Sequence, residues 1–245
     1  MKLFFNPEIP ADAKVGLTVL LPQEEAAHCV RVLRLVPGDT LTLTGGKGFF
    51  YDAQIVEASQ KRVVCSILSV IPWQKGWNAS IHLAVAPTKN MDRMEWMAEK
   101  ATEMGIDELS FLNCRFSERK VLKLERVQKI VISAMKQSLK ALMPSLHELE
   151  DFKRFIQQPV EGQKYIARCY PGEKPLLRDL LLQSTKEDSS HPSITILIGP
   201  EGDFSEDEVK QALEQGYKPI SLGTSRLRTE TAALVAVMTA QITTN

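Results

Sequence analysis

The residues best equipped for chemistry lie in two short stretches near the C-terminus. One reads Gly199-Pro200-Glu201-Gly202-Asp203-Phe204-Ser205, the other Leu222-Gly223-Thr224-Ser225-Arg226-Leu227-Arg228-Thr229-Glu230. In the first, Gly199 and Gly202 permit positive φ or close approach of a ligand, Pro200 fixes φ and removes a donor, and Glu201 supplies a carboxylate. In the second, Arg226 and Arg228 flank Leu227 just ahead of a helix start. Guanidinium groups are costly to place there unless they face water, a carboxylate or a phosphate. Two glycine-bearing loops this close in sequence suggest one composite pocket for a small ligand. Taken alone, the first loop is equally a sharp strand-to-helix turn; the second shifts the balance toward a ligand site, with a plain surface loop as its alternative.

The flanking residues say what must position these loops. Ile194 to Ile198 is an apolar, β-branched run, as expected of a strand buried on both faces. Ser205 followed by Glu208 is a capping box opening a helix, with Gly216 placed to end it. Pro219 to Leu222 predicts the next strand, and Thr229 the cap of a nearly all-apolar helix through Ala232, Leu234, Val235, Val237 and Met238. Ligands of α/β proteins bind beyond the carboxyl ends of strands, where both loops fall. Further strands are predicted at Ile81 to Pro87, Glu108 to Leu112 and Lys164 to Arg168. A methionine-striped helix from Met91 to Met104, closed by Gly105, reads as core, and polar Leu182 to Pro192 reads as a loop. This alternation argues for a parallel sheet covered on both faces.

Before Pro72 the pattern changes to short strands, at Leu17 to Leu21, Asp39 to Leu43, Phe49 to Val56 and Val63 to Val70, with one brief helix at Pro22 to Leu35. Such a series is a small β-barrel pattern. The chain is therefore read as two domains, 1–72 and 73–245, linked around Ile71 to Trp77.

Composition excludes several classes. The 245 residues carry 30 basic and 30 acidic side chains, which argues against a generally basic nucleic-acid coat. The charge is unevenly spread, however. Between Phe111 and Lys140 eight basic residues meet only Glu118 and Glu125, a stretch able to contact phosphates. No apolar run reaches membrane-spanning length, and no G-x-G-x-x-G follows a predicted strand. Cys29, Cys65, Cys114 and Cys169 are scattered, as are the four histidines, so reduced thiols in a cytoplasmic protein and no metal are expected.

In combination these motifs resemble the RsmE-like methyltransferases of the SPOUT superfamily. Their pattern is Gly-Pro-Glu-Gly-Gly-Phe-Ser followed by Leu-Gly-x-x-Ile-Leu-Arg-x-Glu-Thr-Ala. The chain matches it at Gly199, Pro200, Glu201, Gly202, Phe204, Ser205, Leu222, Gly223, Leu227, Arg228, Glu230, Thr231 and Ala232. Upstream, Lys89, Asp92, Arg93 and Lys100 to Gly105 resemble the first helix of the family's catalytic domain, and Ser117-Glu118-Arg119 its next loop. His28, Val32, Leu33, Arg34, Gly38 and Asp39 resemble its N-terminal signature. Three departures stand out. Asp203 replaces a glycine, Arg226 an isoleucine, and Lys136-Gln137-Ser138-Leu139-Lys140 a Glu-Gln-Ser-Gly-Arg segment, which reduces a bidentate arginine to a point charge.

The resemblance implies an α/β fold: a C-terminal SPOUT-type domain, with a parallel sheet and trefoil knot, preceded by a PUA-like RNA-binding β-barrel. It implies S-adenosylmethionine as cofactor, and N3 of a 16S rRNA uridine as target, a decoding-centre site of the 1498 type in the 30S subunit. It also implies a homodimer whose second subunit lends groups to the pocket, with the apolar helix Thr229 to Ala240 as the contact. On this reading Leu197, Ile198, Gly199, Pro200, Glu201, Gly202, Leu222, Gly223, Ser225, Leu227 and Arg228 hold the cofactor. Arg228 stabilises charge on the uracil carbonyls as N3 loses its proton, and Glu201 or Glu230 accepts that proton or else pins the loops. His28, Arg31, Arg34, Lys89, Arg93, Arg115, Arg119 and Lys140 are the expected RNA contacts. Two rival readings keep the same residues: methylation of another RNA base, or a non-catalytic RNA-binding assembly factor.

Overall fold

A computed structural model describes residues 2–170, 174–187 and 192–244. Its contacts divide the chain into two units, Met1–Lys75 with Ile132–Met143, and Gly76–Val131 with Pro144–Asn245. The first unit contains β1 (Leu3–Phe5), β2 (Thr18–Leu20), α1 (Gln23–Ala27), β3 (Thr40–Thr44), β4 (Phe49–Ala58) and β5 (Val63–Pro72). The five strands form one sheet in the order β1-β3-β4-β5-β2. Alternation sets the inner face: Tyr51, Ala53 and Ile55 of β4 point inward at every second position and join Leu41, Leu43, Cys65 and Ile67 in the core. The two edge strands approach each other, since Asn6 Nδ2, just past β1, donates to the Leu20 carbonyl of β2 at 3.0 Å. The predicted helix at Pro22 to Leu35 is a single α-helical turn and a half continued by a π-helical turn, His28–Val32.

The second unit is built on β6 (Ser80–Val85), α2 (Met91–Met104), β7 (Glu108–Asn113), α3 (Leu124–Gln137, whose last residues group with the first unit), β8 (Ser145–Asp151), α4 (Phe152–Ile156), β9 (Gln163–Ala167), α5 (Leu177–Glu187), β10 (Ser193–Ile198), α6 (Glu206–Glu214), β11 (Lys218–Ile220) and α7 (Thr229–Thr243). Its six strands pair in parallel in the order β11-β9-β10-β6-β7-β8. Ile81, Leu83, Ala84 and Val85 of β6, and Ile194 to Ile198 of β10, are buried on both faces, as a helix-covered parallel sheet requires. From β10 the chain passes β9 to reach β11, and α7 then returns to pack on β6 and β10. There it lies alongside α2. Arg93 faces Glu230 near the first turns of both helices, and Gln241 donates to the Met104 carbonyl where they end.

Four local expectations are revised. The segment Leu182 to Pro192 is not simply a loop, because α5 runs through it to Glu187. Leu177 and Leu181, one helical turn apart and buried, anchor that helix despite its polar surroundings. The rest of that expectation, residues 188–191, lies outside the described residues. Strand β8 was not foreseen, since an edge strand with sequence Ser-Leu-His-Glu-Leu-Glu-Asp shows no apolar alternation. Strand β1, only three residues long, was likewise not foreseen. Finally, α7 begins with Arg228, not Thr229, at the N-cap.

Candidate functional site

The carboxyl ends of β9, β10 and β11 open to the same side of the sheet, and the loops leaving them wall a cavity of about 820 Å³. That volume lies within the range of small-molecule sites. Residues 198–203 line one wall, 220–230 a second, and Arg168, Cys169, Tyr170 and Lys174 a third, with Arg93 of α2 at the margin. The two sequence stretches that suggested a composite pocket are thus brought together.

Side chains fix the loops to one another. Thr229 is the first helical residue of α7, and its hydroxyl donates to the Gly199 carbonyl at 3.0 Å in a buried bond. This bond, not a cap, is the use of that threonine. Gly199 and Gly202 do not adopt positive φ; they are small because a Cβ on either would press to 3.1 Å on Phe204 or Phe116. The left-handed residue of the first loop is Asp203, at φ 64°. Aspartate tolerates that conformation, and here both carboxylate oxygens are used. Oδ1 accepts from Phe204 N at 2.8 Å and Oδ2 from Cys169 N at 2.7 Å, stapling the β10 loop to the β9 loop. Below, the predicted capping box forms: Glu208 Oε2 accepts from the Ser205 backbone and hydroxyl, while Oε1 accepts from Arg115 N at 2.8 Å.

The two candidate bases differ in setting. Glu230 is buried, in the first turn of α7, with Oε1 at 3.8 Å from Arg93 Nη1. Glu201 is exposed; its Oε1 accepts from Lys89 N at 2.9 Å, leaving Oε2 without a partner among the described residues. Arg226 and Arg228 are exposed on the cavity wall and make no ion pair among the described residues.

Ile198, Gly199, Pro200, Glu201, Gly202, Leu222, Gly223, Ser225, Leu227 and Arg228 all line the cavity. Leu197 does not; its side chain is fully buried with Ala84, Leu112, Ile166 and Phe204. Among the expected RNA contacts, Arg93 reaches the cavity, while Arg119 is turned inward, donating to the carbonyls of Thr88 and Lys89 at 3.2 and 2.6 Å. Lys89 pairs with Glu118 at 3.1 Å, and Arg115 lies 3.7 Å from Asp207. His28, Arg31, Arg34 and Lys140 belong to the other unit, the first three exposed. Sequence reasoning passed over Arg168, a cavity residue whose Nε is buried without a partner among the described residues. Its place, just after predicted strand β9, was the available signal.

The residues present suit an S-adenosylmethionine-like ligand. Ile198, Ile220, Leu222 and Leu227 offer apolar surface for a purine, carboxylates stand where a sulfonium could be balanced, and the orphaned Arg168 N–H can meet a ligand carboxylate.

Comparison with known proteins bears on this geometry. A family model described as an RNA methyltransferase domain matches residues 75–241, and one described as an RNA methyltransferase PUA domain matches residues 21–68. The chain is 28% identical over 240 residues to ribosomal RNA small subunit methyltransferase E of Rickettsia conorii, covering 96% of this chain and 93% of that one. A probable rRNA-methyltransferase from Porphyromonas gingivalis has a similar structure, with a TM-score of 0.86 and 41% identity over 99% of each chain. Ribosomal RNA small subunit methyltransferase E from Neisseria gonorrhoeae, solved bound to S-adenosyl methionine, superposes with a TM-score of 0.81 at 30% identity, covering 97% of this chain and 95% of that one.

Proposed function

Because the chain belongs to the RNA methyltransferase family whose domain spans residues 75–241, we propose that it methylates N3 of a uridine in small-subunit ribosomal RNA from S-adenosylmethionine. The target in this reading is the decoding-centre uridine of the 1498 type. The observation that carries the reading is the single cavity walled by residues 198–203 and 220–230, held closed by the Thr229–Gly199 bond. The passage of the chain past β9 and the return of α7 support reading these loops as the crossing segments of a trefoil knot.

Bound in the cavity, S-adenosylmethionine supplies an electrophilic methyl group. The backbone of Ile198 to Gly202 and of Leu222 to Leu227 would hold its adenosine part, and Arg168 would meet its carboxylate. The protein's remaining task is to make N3 nucleophilic, since that nitrogen is protonated at neutral pH. Arg228, on the wall and in no ion pair among the described residues, stabilises negative charge spreading onto the uracil carbonyls. Glu201, with one oxygen uncommitted, accepts the proton; Glu230, paired with Arg93, anchors the loop. Exposed Trp96 of α2 and Met238 and Ile242 of α7, with half-buried Val235, form the surface for a second copy, since Ala233, Leu234, Ala236, Val237 and Ala240 of α7 are already buried within the subunit.

Tritiated methyl incorporation into 30S subunits and naked rRNA, followed by mass mapping of the modified base, tests the proposal. Label in N3-methyluridine at one site supports it, with Arg228→Ala and Glu201→Ala each slower by about 100-fold, as for loss of one charge-stabilising or proton-transfer group. Label on another base, or no label despite cofactor binding, overturns it.

A further inference from the structure

At the amino ends of the sheet, away from the cavity at the carboxyl ends, three adjacent strands set three potential ligands side by side. His82 of β6 is in register with Glu108 of β7, and His147 of β8 lies next to that carboxylate. The ligand atoms of all three lie within 4.8 Å of one another. We propose that His82 Nδ1, Glu108 and His147 Nε2 form a divalent metal site, selective for a borderline ion such as Zn²⁺, that fastens edge strand β8 to the sheet.

The polar geometry asks for a cation there. His82 Nε2 lies 2.7 Å from the hydroxyl of buried Ser110, two residues along β7 on the same face. When Nε2–H donates to that hydroxyl, the Nδ1 lone pair is left facing Glu108. Nδ1 and Glu108 Oε2 are 3.9 Å apart, too far for a hydrogen bond. Two zinc–ligand bonds of about 2.1 Å at the tetrahedral angle separate their ligand atoms by about 3.4 Å, so the pair must close by only about half an ångström. His147 Nε2 is 3.1 Å from the same oxygen and half-exposed, so a small rotation completes the set and leaves a fourth position for water. Among the described residues the carboxylate has no lysine or arginine partner; the titratable groups beside it are the two imidazoles. Phe155 of α4 packs edge-on against the His82 ring, at 5.6 Å between centroids, and fixes its orientation. Two imidazoles with one carboxylate is a donor set for zinc and its first-row neighbours, and unsuited to magnesium or calcium. The histidines are 65 positions apart in sequence, which is why spacing gave no sign of the site.

The protein is stripped with chelator in a Cys169→Ser background, which removes the exposed thiol as a competing ligand type, then titrated calorimetrically with zinc chloride. One saturable equivalent and a rise in melting temperature are expected, with Co²⁺ giving the absorption bands of a tetrahedral site. Ser110→Ala, which removes only the partner orienting the imidazole, lowers affinity by about 10–100-fold. His147→Ala, at a half-exposed edge position that leaves the core intact, abolishes the stoichiometric step and the cobalt bands. Absence of a stoichiometric step in the parent protein, or equal affinity in His147→Ala, sinks the proposal. None of these readouts depends on methyl transfer, so they stand or fall apart from the function proposed above.

Discussion

At the scale of single residues, the most instructive position is Asp203, where the related pattern has glycine. The residue is left-handed, so glycine fits without strain, while most side chains would pay about 1 kcal/mol. Aspartate is tolerated because its two oxygens hold Phe204 N and Cys169 N. Substitutions should separate the two effects. Asp203→Ala loses both bonds and keeps the unfavourable φ, so destabilisation of about 2–3 kcal/mol is expected in urea unfolding. Asp203→Gly loses the same bonds but relieves φ, and should recover about 1 kcal/mol of that. Both should weaken S-adenosylmethionine binding, since the β9 and β10 loops that wall the cavity are no longer joined. If the alanine variant matches or exceeds the glycine variant in stability, backbone strain at this position is not the governing term.

At the scale of elements, α6 shows how a local motif acquires a tertiary duty. Its capping box is the one the sequence announces, but Glu208 also accepts from Arg115 N in the loop after β7. Glu208→Ala therefore leaves three donors without their acceptor, the buried backbone and hydroxyl of Ser205 and the part-buried Arg115 N. A cap alone is worth about 1 kcal/mol; the expected loss here is about 2–4 kcal/mol, read from thermal or chemical unfolding. A loss no larger than that of an ordinary exposed cap would mean the Arg115 contact contributes nothing. What was legible follows the same division. Strands β6, β7, β9 and β10 showed as apolar runs because they are buried on both faces, and α2 showed its stripe because Met94, Met97, Ala98 and Ala101 meet the core. Strand β8 was illegible because an edge needs little apolar surface. The two loops were legible as loops, but their mutual fixing was not. Thr229 reads as a cap until the structure shows it bonded to Gly199, thirty positions away, and Arg168 matters only once β9 is seen beside β10. Tertiary partners of this kind leave no periodicity to read.

At the scale of the whole molecule, buried protonated groups in both units set a limit at alkaline pH. In the N-terminal unit burial pushes the Cys65 thiol from 9.0 to about 12. In the second unit it pushes the phenols of Tyr165 and Tyr217 from 10.0 to about 12, and raises the Cys114 thiol as well. Each of these acids is raised in the folded state, so the unfolded chain releases its proton first. Stability is then complete below about pH 9 and falls as pH rises from 9 towards 12. The melting temperature should accordingly be level from neutral pH to about 9 and decline above it. The phenolate absorbance of these two tyrosines should appear together with unfolding, not before it. Tyr217 makes the sharper case, because its hydroxyl is buried without a partner among the described residues and Lys164 sits over its ring at 5.3 Å. Tyr217→Phe keeps the ring and the cation above it, removes an unsatisfied polar atom, and should leave stability at neutral pH unchanged or about 1 kcal/mol higher. The same variant should lose part of the alkaline decline, since one of the groups that drives it is gone. A Tyr217 that titrates near 10 in the intact protein, or a phenylalanine variant with an unaltered alkaline slope, would show that burial at this position does not hold the phenol in its neutral form.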